Sequence, residues 1–318
     1  MKDRNRLLFI YNPHSGKEQL KNKLADILDI LAETGMEMIV HPTRHAKDAL
    51  ETIQRDGEKF KLIISSGGDG TLNESFNGLM SIPEEKRPIF GYIPSGTTND
   101  FASTLHISKN PIMAANGIVN GEKFWCDVGK ATTGYFAYVA AFGAFTSIPY
   151  ETPQQNKNAL GHLAYILEGN RSLTNLDTYH MKVQFNNEQG EKVEIEDDFI
   201  YGMISNTRSV AGLNLGNESK IDLQDGLFEA LLVKKPTNPI ELQQTINALL
   251  VKDFTAAPFY FFHTDAVGFF SDKDVSWTLD GEYGGTVKKM SIMNIPKAIH
   301  LSYTPEAKWN LFSFKDTE

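Results

Sequence analysis

A short apolar run, Leu62 to Ser65, leads into Gly67-Gly68-Asp69-Gly70-Thr71-Leu72-Asn73-Glu74, after which Leu72, Phe76 and Leu79 recur at helical spacing. A strand that turns on glycines directly into a helix is the repeating step of an α/β sheet. The step recurs along the first part of the chain. Leu7 to Tyr11 reads as a strand ending at Asn12-Pro13, and Leu20, Leu24, Ile27, Leu28 and Leu31 mark a helix that Gly35 stops. Met36 to Val40 and Ala46 to Ile53 give the next strand and helix. Ile89 to Ile93 gives a fourth strand, again ending in a Pro/Gly turn before a helix. This rhythm predicts a doubly wound, largely parallel α/β domain over residues 1–128, with helices on both faces.

After Asp127 the rhythm changes. Turn signals at Asn186 to Gly190, Asp225-Gly226 and Asp280-Gly281 separate strand-like runs such as Phe259 to Phe262, Val267 to Phe270 and Ser276 to Leu279. Helical exceptions are His162 to Leu173 and Ile240 to Val251. A mainly antiparallel second domain over residues 129–299 is expected, with 300–318 returning to the first domain. The length, 318 residues, suits two domains.

The net charge of −9 does not suit sequence-independent binding to nucleic acid, which needs clustered Lys and Arg, nor bulk attraction to anionic membranes. The lone cysteine, Cys126, sits in a strand-like run and reads as a small core residue in a reducing, cytoplasmic setting. No signal peptide is read at the N-terminus. The longest uncharged apolar stretch, Tyr135 to Tyr150, is too short for a membrane-spanning helix.

The glycine loop carries the chemistry. Glycines let a phosphate approach the backbone, and the helix start behind them offers free N–H groups and a positive dipole end. Asp69 is suited to binding Mg²⁺ directly or through water, while Thr71 and Asn73 offer neutral hydrogen bonds. Two more turns of small, hydroxyl-rich residues, Asn12 to Lys17 and Pro94 to Phe101, follow other strands of the same sheet. Three such turns on one edge suit a nucleotide better than any one alone. Neither a Walker loop nor a Gly-x-Gly-x-x-Gly fingerprint is present.

These residues resemble the diacylglycerol kinase catalytic-domain family of soluble bacterial lipid kinases, and the Gram-positive diacylglycerol kinases within it. The resemblance rests on Asn12-Pro13-x-Ser15-Gly16-Lys17, Gly67 to Thr71 with Asn73-Glu74, Pro94-x-Gly96-Thr97-Thr98-Asn99-Asp100-Phe101, Asp127-Val128-Gly129, Asp225-Gly226 and Leu279 to Gly285. It implies an α/β nucleotide domain followed by a β-sandwich lipid-substrate domain, with ATP held between them. Asn12, Pro13, His14, Ser15, Gly16, Thr43, Gly68, Asp69, Gly70, Thr71, Leu72, Asn73, Glu74 and Thr97 would line the ATP site. Glu282 would be the general base, with Asp280 and Asp69 as its catalytic companions. A second, structural Mg²⁺ would sit on Asp222, Asp225 and the Leu227 carbonyl, although Gln224 stands where close relatives carry an acid.

Phosphoryl transfer to an alcohol asks for charge neutralisation, a positioned γ-phosphate and a carboxylate that takes the hydroxyl proton. Asp69 with Mg²⁺, the glycine loop and Glu282 match those three needs. The expected partner is a lipid substrate met at the membrane surface in a transient peripheral contact, by a cytoplasmic enzyme. The resemblance raises a homodimer, since related kinases form dimers, and the sequence leaves the oligomeric state open. Alternatives are a kinase acting on NAD, on phosphatidylglycerol or on a sphingoid base, and a non-catalytic nucleotide binder. His41 and His45 are four apart but separated by Pro42, so a zinc pair is not expected. Phe259 to Phe262 reads as a strand in preference to a lipid groove. Lys234-Lys235 and Lys288-Lys289 read as solvated strand ends, with an anionic-lipid contact as the alternative.

Overall fold

The computed structural model describes residues 5–16, 19–97, 99–143, 167, 177–206, 209–210, 213–214, 224–251, 253–256 and 258–305. The chain divides into two compact units: one takes the residues up to Val128 and those from Pro296 on, the other Gly129–Ile295. The first contains strands β1 (Arg6–Tyr11), β2 (Glu37–Pro42), β3 (Leu62–Gly67) and β4 (Ile89–Pro94). Its helices are α1 (Gln19–Ala32), α2 (Asp48–Asp56), α3 (Asp69–Met80), α4 (Asp100–Thr104) and α5 (Pro111–Val119). Strand β5 (Glu122–Ala131) then leads into the second unit.

The four strands are parallel, in the order β4-β3-β1-β2. Leu7, Leu8, Phe9 and Ile10 are all buried. Successive side chains of a strand point to opposite faces, so burial of all four requires cover on both. Helices α1 and α5 pack together, as do α2 and α3. The returning segment lies parallel to β4, with Leu301 opposite Phe90. It is held by Arg87, which donates to the Leu79, Ile82 and Ala298 carbonyls. The Lys297 N–H donates to buried Asp127 at 2.7 Å, and the Ser302 hydroxyl to the Ile118 carbonyl at 2.8 Å.

The second unit holds β6 (Gly134–Phe136), β7 (Val139–Gly143), β8 (Tyr179–Asn186), β9 (Lys192–Ser205), β10 (Ser209–Val210), β11 (Leu213–Asn214) and β12 (Phe228–Lys234). Helix α6 (Pro239–Val251), β13 (Phe259–Thr264), β14 (Ala266–Leu279) and β15 (Glu282–Tyr303) follow, β15 running on into the first unit. All pairings within this unit are antiparallel. The chain is therefore a mixed α/β protein with a mostly antiparallel sheet. Period-2 alternation sorts β12 between two cores: Phe228, Ala230 and Leu232 join Phe142, Phe269 and Trp277, while Leu231 and Val233 pack with Leu242, Ile246 and Leu249 of α6. The run Phe259 to Phe262 splits the same way, Phe259 and Phe261 toward α6 and Tyr260 and Phe262 toward the aromatic core. It is strand β13.

The expected helix at His162 to Leu173 lies, apart from Leu167, outside the described residues, as do Lys17, Thr98, Asp222 and residues 306–318. Among the described residues no helix is long and apolar enough to cross a membrane. Cys126 is fully buried and its thiol meets the Asp127 carbonyl at 3.2 Å, as a core cysteine does.

Candidate active site

Parallel registry aligns the strand ends. Tyr11 lies opposite Ser66 and Pro42, and Gly67 opposite Pro94. The residues that follow continue the ladder one step: Asn12 N–H donates to the Ser66 carbonyl at 2.8 Å, Thr43 N–H to Tyr11 at 2.9 Å, and Ser95 N–H to Gly67 at 2.9 Å. The turns expected at three strand ends therefore emerge side by side, and Thr43 stands in the same row.

The turns then fold onto one another through glycines. Gly16 has φ +62°, and a Cβ there would run into the Ser95 carbonyl. A Cβ on Gly96 would stand 2.5 Å from the Gly68 Cα. No side chain fits in either place. Ser15 Oγ lies 2.6 Å from Ser95 Oγ, and Ser66 Oγ 3.5 Å from it. His14 N–H donates to the Asn12 side chain at 2.9 Å, which closes the first turn and leaves the His14 and Thr97 side chains exposed. Pro13 is half-buried in that turn. Helix α3 starts behind Gly68, a glycine cap with no side chain to satisfy the first-turn amides of Asp69, Gly70 and Thr71.

Asp69 binds across to the third turn. Its two carboxylate oxygens accept the Asn99 and Asp100 N–H groups, each at 3.0 Å. Asn99, at φ +53° and buried, clasps Gly96: it accepts the Gly96 N–H at 2.9 Å and donates to the Gly96 carbonyl at 2.8 Å. The Tyr92 hydroxyl donates to the Gly67 carbonyl at 3.0 Å beneath it. The protein packed around the Asp100 carboxyl, whose side chain still reaches solvent, and then the Asp69 charge push Asp100 up to about 6, with Lys109 pulling the other way. Ser95, Asn99 and Asp100 stand here with Thr97, all within the Pro94 to Phe101 turn that the sequence suits to a nucleotide, although Thr97 alone of them is carried into the ATP site by the resemblance. Their signal was present in the hydroxyl- and amide-rich run after Pro94.

Two residues expected in the nucleotide site face elsewhere. The Leu72 side chain is fully buried in the core, and its N–H is spent on the Gly68 carbonyl at 3.1 Å. Glu74 accepts the Lys47 N–H at 2.7 Å and the Ala49 N–H at 3.2 Å, holding the start of α2 and so the end of the Thr43 loop. Burial pushes its carboxyl up, against those hydrogen bonds. Asn73 accepts from Asn77 along α3, with its side-chain oxygen at 3.1 Å. His41 is paired with Asp48 at 2.9 Å, and no metal-ligating cluster occurs among the described residues.

In the second unit Leu279 pairs with Glu282 across a two-residue turn, Asp280 at φ +52° and Gly281 at φ +83°. Positive φ at both positions is the type I′ pattern that Asp-Gly favours. Asp280 is 2% exposed, and its oxygens accept the N–H groups of Ala137 at 2.7 Å, Tyr138 at 2.9 Å and Val139 at 3.2 Å. Its carboxylate holds the backbone of the Ala137–Val139 strip here. Glu282 is exposed and takes no hydrogen bond from the described residues. Asp225 accepts the Leu227 N–H at 3.0 Å in a turn completed by Gly226 at φ +75°. Lys234 is bonded to Asp197 at 2.8 Å, so it is not a free lipid-facing cation, whereas Lys288 and Lys289 are exposed.

The diacylglycerol kinase catalytic domain model matches residues 6–131. The chain is 36% identical over 287 residues to a Staphylococcus aureus diacylglycerol kinase, covering 89% of this chain and 87% of that one. It is 34% identical over 307 residues to a Staphylococcus saprophyticus diacylglycerol kinase, covering 95% and 96%. A crystal structure of a candidate diacylglycerol kinase from Bacillus anthracis superposes with a TM-score of 0.75 at 26% identity, covering 96% of this chain and 97% of that one. With its glycine-tipped turns in a row at the strand ends and this likeness along nearly its whole length, the chain belongs to the diacylglycerol kinase catalytic-domain family of kinases.

Proposed function

We propose that this kinase transfers the γ-phosphate of ATP, with Mg²⁺, to the primary hydroxyl of diacylglycerol and so makes phosphatidic acid. The observation that carries the reading is the meeting of the Asn12–Gly16, Gly68–Thr71 and Ser95–Asp100 turns, where Gly16 and Gly96 admit no side chain beside the start of α3. That donor set fits a polyphosphate: close backbone approach, free amides and hydroxyls from Ser15, Ser95 and Thr97. Mg²⁺, when bound, supplies charge neutralisation on the phosphate oxygens. Asp69 fits such an ion by its chemistry, a carboxylate on the first turn of α3 held beside the third turn by the Asn99 and Asp100 N–H groups. Asp225 and the Leu227 carbonyl, with Asp222, are the residues for a second ion.

In this reading Glu282 takes the proton of the acceptor hydroxyl as the new O–P bond forms and the bond to the ADP oxygen breaks. The second unit is then a β-sandwich substrate domain, which meets its lipid in brief peripheral contact with a bilayer. The test compares the parent chain with Glu282→Ala, using labelled ATP and diacylglycerol in mixed micelles. A general base contributes about 10²–10⁴-fold, so turnover is expected to fall by that much while nucleotide affinity stays. Unchanged turnover in Glu282→Ala would remove Glu282 from the reaction.

A further inference from the structure

The strip Ala137–Val139, between β6 and β7, is gripped from two sides. Asp280 takes its N–H groups, as described above, and returns its own N–H to the Val139 carbonyl at 2.8 Å. The Tyr138 hydroxyl closes the same contact by donating to the Asp280 carbonyl at 3.2 Å. On the other side stands Asn206, the residue after β9. Its N–H donates to the Tyr138 carbonyl at 2.9 Å, and its side-chain Nδ2 to the Ala137 carbonyl at 3.3 Å. Any residue could supply the first bond, but only an amide side chain at this place supplies the second.

Asn206 is itself oriented. Nδ2 of Asn294 donates to Asn206 Oδ1 at 3.4 Å, which turns the Asn206 amide so that its NH₂ faces the strip. Both asparagines are buried, at 3% and 6% exposure. The Asn294 Oδ1 has no hydrogen-bond partner among the described residues. A side-chain amide buried with one oxygen unsatisfied is costly, and an apolar residue would pack there more cheaply. Its NH₂ group is what the position uses.

From this chain of contacts we infer that Asn206, oriented by Asn294, is a positioning residue for Glu282. The Glu282 side chain is exposed and takes no hydrogen bond from the described residues, while its backbone pairs with Leu279 across the turn. Its place follows from the Asp280-Gly281 turn, the turn's place from the Ala137–Val139 strip, and the strip's from Asn206. The inference rests on the reading of Glu282 as the base. It assigns to buried amides a task that the nucleotide-side turns do not share.

The test is a double-mutant cycle on the full chain, with ATP and diacylglycerol in mixed micelles. Asn206→Ala is expected to lower kcat by about 10- to 100-fold, since small misplacements of a reacting group cost that much, with KM for ATP unchanged. On a Glu282→Ala background the same substitution is expected to change the residual rate by less than about threefold, because a residue that acts through Glu282 has nothing left to position. Asn294→Ala serves as the second variant: a smaller kcat loss in the same sense, KM for ATP unchanged and an unfolding midpoint close to the parent's. Equal losses on both backgrounds would overturn the proposal, as would full kcat in both folded variants. Full turnover in Glu282→Ala would overturn the base assignment and this proposal together. Lost turnover in Glu282→Ala with full turnover in Asn206→Ala would overturn the positioning role alone.

Discussion

At the scale of single residues, a methyl group separates two kinds of glycine. On Gly96 it meets the Gly68 Cα at 2.5 Å, while on Gly68 it stands 3.4 Å from the Gly96 Cα, an ordinary contact. Gly96→Ala is therefore expected to lower the unfolding midpoint and raise KM for ATP together, about tenfold or more. Gly68→Ala is expected to keep the midpoint, so that a weakened ATP affinity there reports the room the phosphate needs. Thermal unfolding and nucleotide titration of the two variants check this. Asp100 gives a pH signature. Its carboxyl is pushed up to about 6, so the folded state holds the proton more tightly than the unfolded chain does. The stability it lends is fully present below the ordinary Asp range and is lost as pH rises through about 6. Asp100→Asn is expected to melt above the parent chain at pH 8 and level with it below about pH 4, a comparison that thermal scans across pH make directly. The Asp100 motif is plain in the sequence. Its shifted titration is not, because the protein packed around the carboxyl, the larger cause, and the charge of Asp69, thirty-one residues away in the chain, both arise only in the folded turn.

At the scale of elements, two acidic residues that the motifs place near the chemistry, one in the ATP site and one in the catalytic turn, hold backbone. Glu74 ties the start of α2 to α3, and Glu74→Ala is expected to cost about 1–2 kcal/mol, as loss of a helix cap does, with a modest change in KM for ATP. Asp280 satisfies three N–H groups of the Ala137–Val139 strip. Asp280→Ala leaves them buried without a partner and is expected to cost on the order of 3 kcal/mol or more, which denaturant unfolding measures. Sequence reasoning places a carboxylate near chemistry by its motif. It does not show which way the side chain points, and a motif can be kept for the turn it builds. The parallel strands were legible because glycine and proline punctuate their ends. Helix α5 carried its signals too, Pro111 at its first position and an Asn110 side chain that accepts the Ile112 N–H at 3.1 Å. Its nearly unbroken apolar run, Ile112 to Val119, hides the helical period that marks α1.

At the scale of the whole molecule, the change of rhythm after Asp127 coincides with the passage from one compact unit to the next at Val128. The return of the chain is less legible, because Pro296 and Lys297, the latter at φ +52°, lie inside β15, where a single strand serves both units and continues past them. The motifs are spread the same way: the nucleotide turns belong to the first unit and the Asp280-Gly281-Glu282 turn to the second. A division of labour is therefore expected, with substitutions at Gly96 read out in nucleotide affinity and those at Glu282 and Asn206 in turnover. The reaction as a whole turns on the acceptor. The most direct measurement offers the purified chain labelled ATP, Mg²⁺ and one mixture of diacylglycerol, monoacylglycerol, phosphatidylglycerol, a sphingoid base and NAD, and identifies every phosphorylated product by mass. Phosphatidic acid is expected as the dominant product if the chain is a diacylglycerol kinase in its chemistry as in its family. Label transferred to NAD and to no lipid, or to no acceptor at all, would contradict it.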